Sequence, residues 1–155
     1  MDITKDTIFI HYGDLYDPDK FNEIKNAKTP WVKPDGGYWA SPVESKNGWK
    51  DWCLKEDFLA FGDWYKDINR SQRFTIDGDA KILYIRNKAE VAALNQWSFA
   101  TKFSVYPDFE KLMNAGYQAI YYEDNVDTHY PMMCWDCDSL LVLDPTIIKI
   151  IKEEN

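Results

Sequence analysis

The chain is poor in the residue types that mark special protein classes. It has only three cysteines, Cys53, Cys134 and Cys137. An odd, small number makes no disulfide framework. With no basic-then-apolar leader in Met1-Asp2-Ile3-Thr4-Lys5-Asp6, it fits a reducing, cytoplasmic setting. No apolar run approaches the roughly 18 residues of a membrane span, so a soluble chain without a membrane partner is expected. Basic residues are outnumbered, 18 Lys and Arg against 26 Asp and Glu, giving a net charge of −8. That balance leaves no global cationic face for phosphates or anionic lipid, although one local basic pocket stays open. G-x-G-x-x-G, phosphate-loop and G-x-S-x-G patterns are all absent. Cys134-Trp135-Asp136-Cys137 has C-x-x-C spacing, but a β-rich run follows where a redox motif would open a helix. A zinc site takes four ligands, and only His129 lies near as a third, so no metal is expected. The acidic stretch Glu123 to Asp127 does not have the spacing of an EF-hand loop.

What is present is ordinary apolar content, 45%, and an unusual 16% of aromatics with seven tryptophans. At 155 residues, a single domain over 1–155 buries roughly 68–70% of its unfolded surface. Thr7 to Tyr12 reads as a strand, β-branched and aromatic. Asp17-Pro18 opens a short helix through Phe21 and Ile24. Lys33 to Gly37 is a turn cluster, and Tyr38 to Ser41 a strand that Pro42 ends. Asn47 to Phe58 has helical spacing at Trp49, Trp52 and Cys53. Phe58 to Arg73 is polar and irregular, with the length of a lid and the cations Lys66, Arg70 and Arg73. Arg73 to Ile76 and Lys81 to Ile85 are two strands or a hairpin. Asn87 caps the next helix, with Glu90 as its box partner. Pro107 to Ala115 is a helix closed by Gly116. Tyr117 to Tyr122 is a strand. Asp138 to Asp144 is another, apolar enough at Leu140-Leu141-Val142-Leu143 to be central and covered on both faces. Ile147 to Ile151 adds a last strand. The irregular mixture of elements points to an α+β fold.

Three segments carry candidate chemistry: His11-Tyr12-Gly13, the run from Gly36 to Trp49, and Asp136 to Ser139. In these the sequence resembles the ADP-ribosyltransferase fold, in its diphtheria-toxin and poly(ADP-ribose)-polymerase branch. His11 matches the branch's first-strand histidine, with Gly13 one residue further away than its usual glycine. Tyr38 matches the second-strand tyrosine, within Gly36-x-Tyr38-x-Ala40, followed by Ser45-Lys46 and the aromatic Trp49. Asp138, opening the late apolar strand, stands at the family's glutamate position, one methylene shorter.

The resemblance implies a split, mixed β-sheet core with flanking helices and NAD as a substrate. It implies an enzyme of glycosyltransferase type that moves ADP-ribose to a protein or nucleic acid, or hydrolyses NAD. The setting would be that of a bacterial or phage toxin, effector or defence protein. Catalysis would fall to Asp138, His11 and Tyr38. Cleaving the nicotinamide–ribose bond builds oxocarbenium-like charge, which the Asp138 carboxylate would stabilise while His11 donates to a ribose hydroxyl. Gly13 would let backbone approach the carboxamide, and Ser41 or Ser45 would bond it. Tyr38 and Trp49 would sandwich the ring, and Lys46, Arg70 and Arg73 would meet the pyrophosphate. Plainer readings stand beside these: a strand-end histidine as a structural hydrogen-bonder, Trp49 as core, Asp138 as a turn cap. The shorter carboxylate also suits a noncatalytic module that holds a nucleotide or a protein. An RNA 2′-phosphotransferase-like enzyme would need more cations near the site.

Overall fold

The computed structural model describes residues 1–27, 32–56, 70–99 and 105–152. Its β-branched and aromatic runs pair into one seven-stranded sheet. The strands are β1 (Phe9–Tyr12), β2 (Tyr38–Pro42), β3 (Ser71–Ile76), β4 (Ile82–Ile85), β7 (Ala119–Tyr122), β8 (Ser139–Val142) and β9 (Ile148–Ile150). Their order is β4-β7-β8-β2-β1-β3-β9. β4 and β7 are parallel and the other neighbours antiparallel. Strands β5 (Ser98–Phe99) and β6 (Tyr106–Pro107) make a separate two-stranded ribbon. Among the described residues, three short α-helices accompany the sheet in an α+β fold: α1 (Trp49–Lys55), α2 (Lys88–Ala93) and α3 (Phe109–Asn114).

β8 occupies the central place that its apolar run requires, between β7 and β2, with all four residues buried. Alternation sends Leu140 and Val142 into a core with Phe9, Phe74 and Tyr121 on one face. It sends Leu141 and Leu143 into a core with Tyr122, Met132 and Trp135 on the other. Each such side chain contributes about 1.5–3 kcal/mol through burial.

Several local expectations are corrected by tertiary pairing. β3 and β4 do not form a hairpin: β3 lies between β1 and β9, while β4 is the far edge beside β7. The pairing with β1 places Phe74 against Phe9, ring centroids 5.7 Å apart, apolar burial that a local hairpin would forgo. The helix expected from Asp17 through Ile24 is only a 3₁₀ turn at Pro18–Lys20. Asp17 caps it, but Phe21 returns to extended backbone. The chain beyond is held straight by the Gly37 N–H donating to the Asn22 carbonyl and by the Lys25–Asp35 bridge. Asn87 does cap α2, accepting from the Glu90 N–H. The Glu90 carboxylate turns instead to Arg86, whose backbone N–H and guanidinium both donate to it; a charged bidentate partner outcompetes a neutral amide. α1 ends at Lys55, and most of the proposed lid, with Phe58 and Lys66, falls outside the described residues. Ser71 to Arg73 belong to β3.

Candidate functional site

The sheet forks between β1 and β2. Their ladder contains Phe9↔Pro42 and Ile10↔Ser41. Beyond it, His11 and Tyr12 pair with β3, while Tyr38 to Ala40 pair with β8. The His11 ring fills the gap: its Nδ1 lies 2.6 Å from the Trp39 carbonyl oxygen. A carbonyl only accepts, so the proton of the neutral ring sits on Nδ1 and Nε2 is left as an acceptor. Nε2 faces Gly13, where an added Cβ would come within 3.3 Å of it, and Gly13 has a φ of +129° that side chains disfavour. The Gly13 N–H donates to the Arg70 carbonyl at 3.0 Å. Tyr38 stacks on His11 with centroids 4.2 Å apart and planes 24° apart. Tyr16 meets Tyr38 edge-on at 5.2 Å. The Tyr38 hydroxyl is buried without a hydrogen-bond partner among the described residues. Burial first, and then the Tyr16 phenol, hold it far above the usual phenol range.

Over the fork lies a pocket of about 280 Å³. Its walls are aromatic, from Tyr12, Trp39, Trp49 and Trp135, and its polar groups come from His11, Ser41, Ser139, Lys33 and Asp136. Trp39 packs edge-on against Trp135 at 4.8 Å, and Trp49 stacks on Trp52 at 5.3 Å. Ser41 Oγ accepts the Trp49 N–H at 2.9 Å, so the β2 serine positions the first residue of α1. All three cysteines border the pocket as unpaired thiols. Burial pushes the Cys137 thiol up to about 11 and raises Cys53 and Cys134 as well. These thiols are therefore protonated near neutral pH. Among the described residues, no three or more histidine, cysteine, aspartate or glutamate side chains gather as a metal ion would need.

The expected site residues divide around this pocket. His11, Ser41 and Trp49 line it, whereas Tyr38 and Asp138 are not part of that lining. In the strand alternation Tyr38 and Asp138 share the opposite face, in phase with Leu140 and Val142. Tyr38 pairs with Val142, four residues from Asp138, or about 13 Å along the strand. Asp138 is tied at both oxygens. Ser45 Oγ–H donates to Oδ2 at 2.7 Å, and the Asp124 N–H donates to Oδ1 at 2.9 Å. Its own N–H donates to the Asn47 carbonyl at 2.8 Å. Arg73 stands on β3 opposite Ile10, exposed on the pocket side. Arg70 pairs with Asp14 at 3.0 Å. Tyr12, Trp39, Asp136 and Ser139 fall within the three candidate segments but had no role assigned to them from sequence, whereas Lys33 and Trp135 lie outside those segments. Alternation in β2 and β8 was the available signal for Trp39 and Ser139; nothing local marks Lys33.

Burial raises the Asp138 pKa, against the hydrogen bonds from Ser45 and the Asp124 amide, and Glu123 adds to the rise. The folded state thus binds this proton more tightly than the unfolded one. Stability is lost as pH rises from the unfolded value near 3.9 through the raised folded value. Asp138→Asn, which does not titrate, is expected to gain stability relative to wild type over that window. Urea melts at a series of pH values check this, and a difference independent of pH would contradict it.

Scans against protein-family models, curated proteins and solved structures returned no match for this chain.

Proposed function

We propose that the forked edge between β1 and β2 binds the nicotinamide end of NAD, and that the protein transfers ADP-ribose to a macromolecule or to water. The observation that carries this reading is the aromatic-walled pocket at the fork, with His11 wedged where the ladder stops. Flat π-faces at Tyr12, Trp39 and Trp49 suit a planar pyridinium ring, and the Ser41 and Ser139 hydroxyls suit its carboxamide. His11, held by Trp39 at Nδ1 and stacked on Tyr38, borders the pocket where a ribose hydroxyl would meet its ring. The pyrophosphate is assigned to Arg73, paired in register with pocket-lining Ile10, and to Arg70, whose carbonyl holds the Gly13 N–H. Asp138, anchored at both oxygens but outside the pocket lining, is the fixed negative charge assigned to the ribose cation that forms as the C–N bond to nicotinamide breaks. The acceptor oxygen or nitrogen then attacks the ribose carbon and loses its proton.

A second reading has its own support. Both Asp138 oxygens already accept hydrogen bonds, and the residue lies outside the pocket lining, as suits a noncatalytic module that holds a nucleotide or protein. Calorimetry with NAD, joined to chromatographic detection of nicotinamide, separates the two. Binding with release supports the transferase; binding with none, even with cell lysate supplying acceptors, supports the module. Absence of both removes NAD from the account. His11→Ala is expected to weaken NAD binding about tenfold, the value of one hydrogen bond of roughly 1–1.5 kcal/mol. Unchanged affinity in that calorimetry would take His11 out of the site.

A further inference from the structure

The segment joining β7 to β8 carries a surface that neither the sheet nor the pocket explains. It winds through two helical hydrogen bonds, His129 N–H to the Asn125 carbonyl at 2.9 Å and Met132 N–H to the Thr128 carbonyl at 3.0 Å. Thr128, Met132 and Trp135, spaced i, i+4 and i+7, point inward and are buried. Val126, Tyr130 and Met133 repeat the same spacing on the outside, at 91%, 82% and 40% exposure. Val126 and Tyr130 are the most exposed large apolar side chains among the described residues. A single exposed apolar side chain needs no explanation, but three aligned on one face mark a contact surface.

The charge along this segment is acidic in balance: no lysine or arginine stands between Lys111 and Lys149, while Glu123, Asp124, Asp127 and Asp136 do, and the N-terminal amine on Glu123 and His129 on Asp124 offset only part of it. Such a surface repels a phosphate backbone and attracts a cationic one. Tyrosine is a rigid anchor of the kind that dominates protein interfaces. The chain runs directly from Met133 into Cys134 and Asp136, which border the pocket. A partner seated on the turn therefore has its neighbouring groups beside the pocket opening.

From this arrangement we infer that the 125–133 turn docks a basic protein segment carrying apolar anchors, which makes the macromolecular acceptor a cationic protein rather than a nucleic acid. Its meaning as acceptor docking rests on the transferase reading; the docking itself does not.

The test uses fluorescence anisotropy on the full chain with four labelled probes: a Lys/Leu peptide, a Lys/Ser peptide, a Glu/Leu peptide and a single-stranded oligonucleotide. Amide NMR locates the contact. The Lys/Leu peptide is expected to bind, to weaken with salt and to shift the amides of 125–133, while the other probes bind at least about tenfold more weakly. The combined variant Val126→Ser, Tyr130→Ser, Met133→Ser changes only outward-facing side chains. It is expected to keep its melting temperature and to lose at least about tenfold in Lys/Leu affinity, or roughly 1.4 kcal/mol. Equal affinity in the variant, shifts elsewhere, equal binding of the Lys/Ser peptide, or tighter binding of the oligonucleotide would each overturn the proposal. So would a concentration-dependent dimer that the variant abolishes, since the surface would then serve a second copy. NAD calorimetry on the same samples stays independent. NAD binding without peptide binding ends the docking proposal alone, and peptide binding without NAD binding ends the transferase reading alone.

Discussion

Asp138→Asn is expected to slow nicotinamide release by at least about 100-fold while changing NAD affinity less than about threefold. Removing one preorganised charge that acts on the transition state costs on the order of 10²–10³ in rate, and the ground state feels it little. Asparagine is the informative substitution because its carbonyl can still accept the Asp124 N–H that now meets Oδ1. The backbone anchor at Asn47 is also untouched. Alanine would instead leave the Ser45 hydroxyl and the Asp124 amide without their partner, at roughly 1–3 kcal/mol each if they stay buried, and would confuse lost charge with lost structure. Single-turnover chromatography of nicotinamide, paired with calorimetry, reads the two quantities separately. If Asp138→Asn turns over at the wild-type rate, the charge has no role in catalysis, and the tie among Ser45, Asp138 and Asp124 is purely architectural.

The largest effect on stability is expected at Trp135. Its side chain is 1% exposed, it packs edge-on against both Trp39 and Tyr122, and its indole N–H donates to the Val32 carbonyl. Trp135→Ala should cost about 3–5 kcal/mol, because it empties a large volume that a strand-backed site closes only partly. For a chain of this size that is a fall in Tm of about 10 °C or more. The same truncation removes one wall of the pocket, so NAD affinity should fall with it. Trp49→Ala provides the contrast, since Trp49 is half-buried on a short helix. It should reduce affinity with a smaller loss of stability. Thermal melts and calorimetry on both variants check this, and equal losses of stability would mean that Trp49 is as much core as Trp135.

The distribution of apolar residues made the strands legible. β8 could be read as central because Leu140 to Leu143 are apolar at both parities, which only a strand covered on two faces requires. Caps were legible for the same local reason at Asp17 and Asn87, each of which accepts a backbone N–H a few residues on; the helix expected from Pro107 starts instead at Phe109, capped by Asp108, because Pro107 pairs in β6. Where a residue had two possible partners, local reading failed. Glu90 chose Arg86 over the cap, and the run after Pro18 chose pairing with 35–37 over a helix, because a charge or a second backbone segment offered more than the next turn did.

The sequence by itself therefore determined the α+β class, the central strand, the Asn87 cap of α2 and the presence of an aromatic-rich second segment. Each of these is a matter of spacing along the chain. Only the tertiary structure decided that β1 and β2 part after two register pairs, that His11 spends one nitrogen on Trp39, and that Asp138 is held by Ser45 and the Asp124 amide. The pocket likewise joins residues from Ile10 to Ser139. The physical reason is that a strand's period sets which side chains share a face, while the separation of two strands depends on what each pairs with on its other edge. That choice is made between β1 and β3, and between β2 and β8, by residues far apart in the chain.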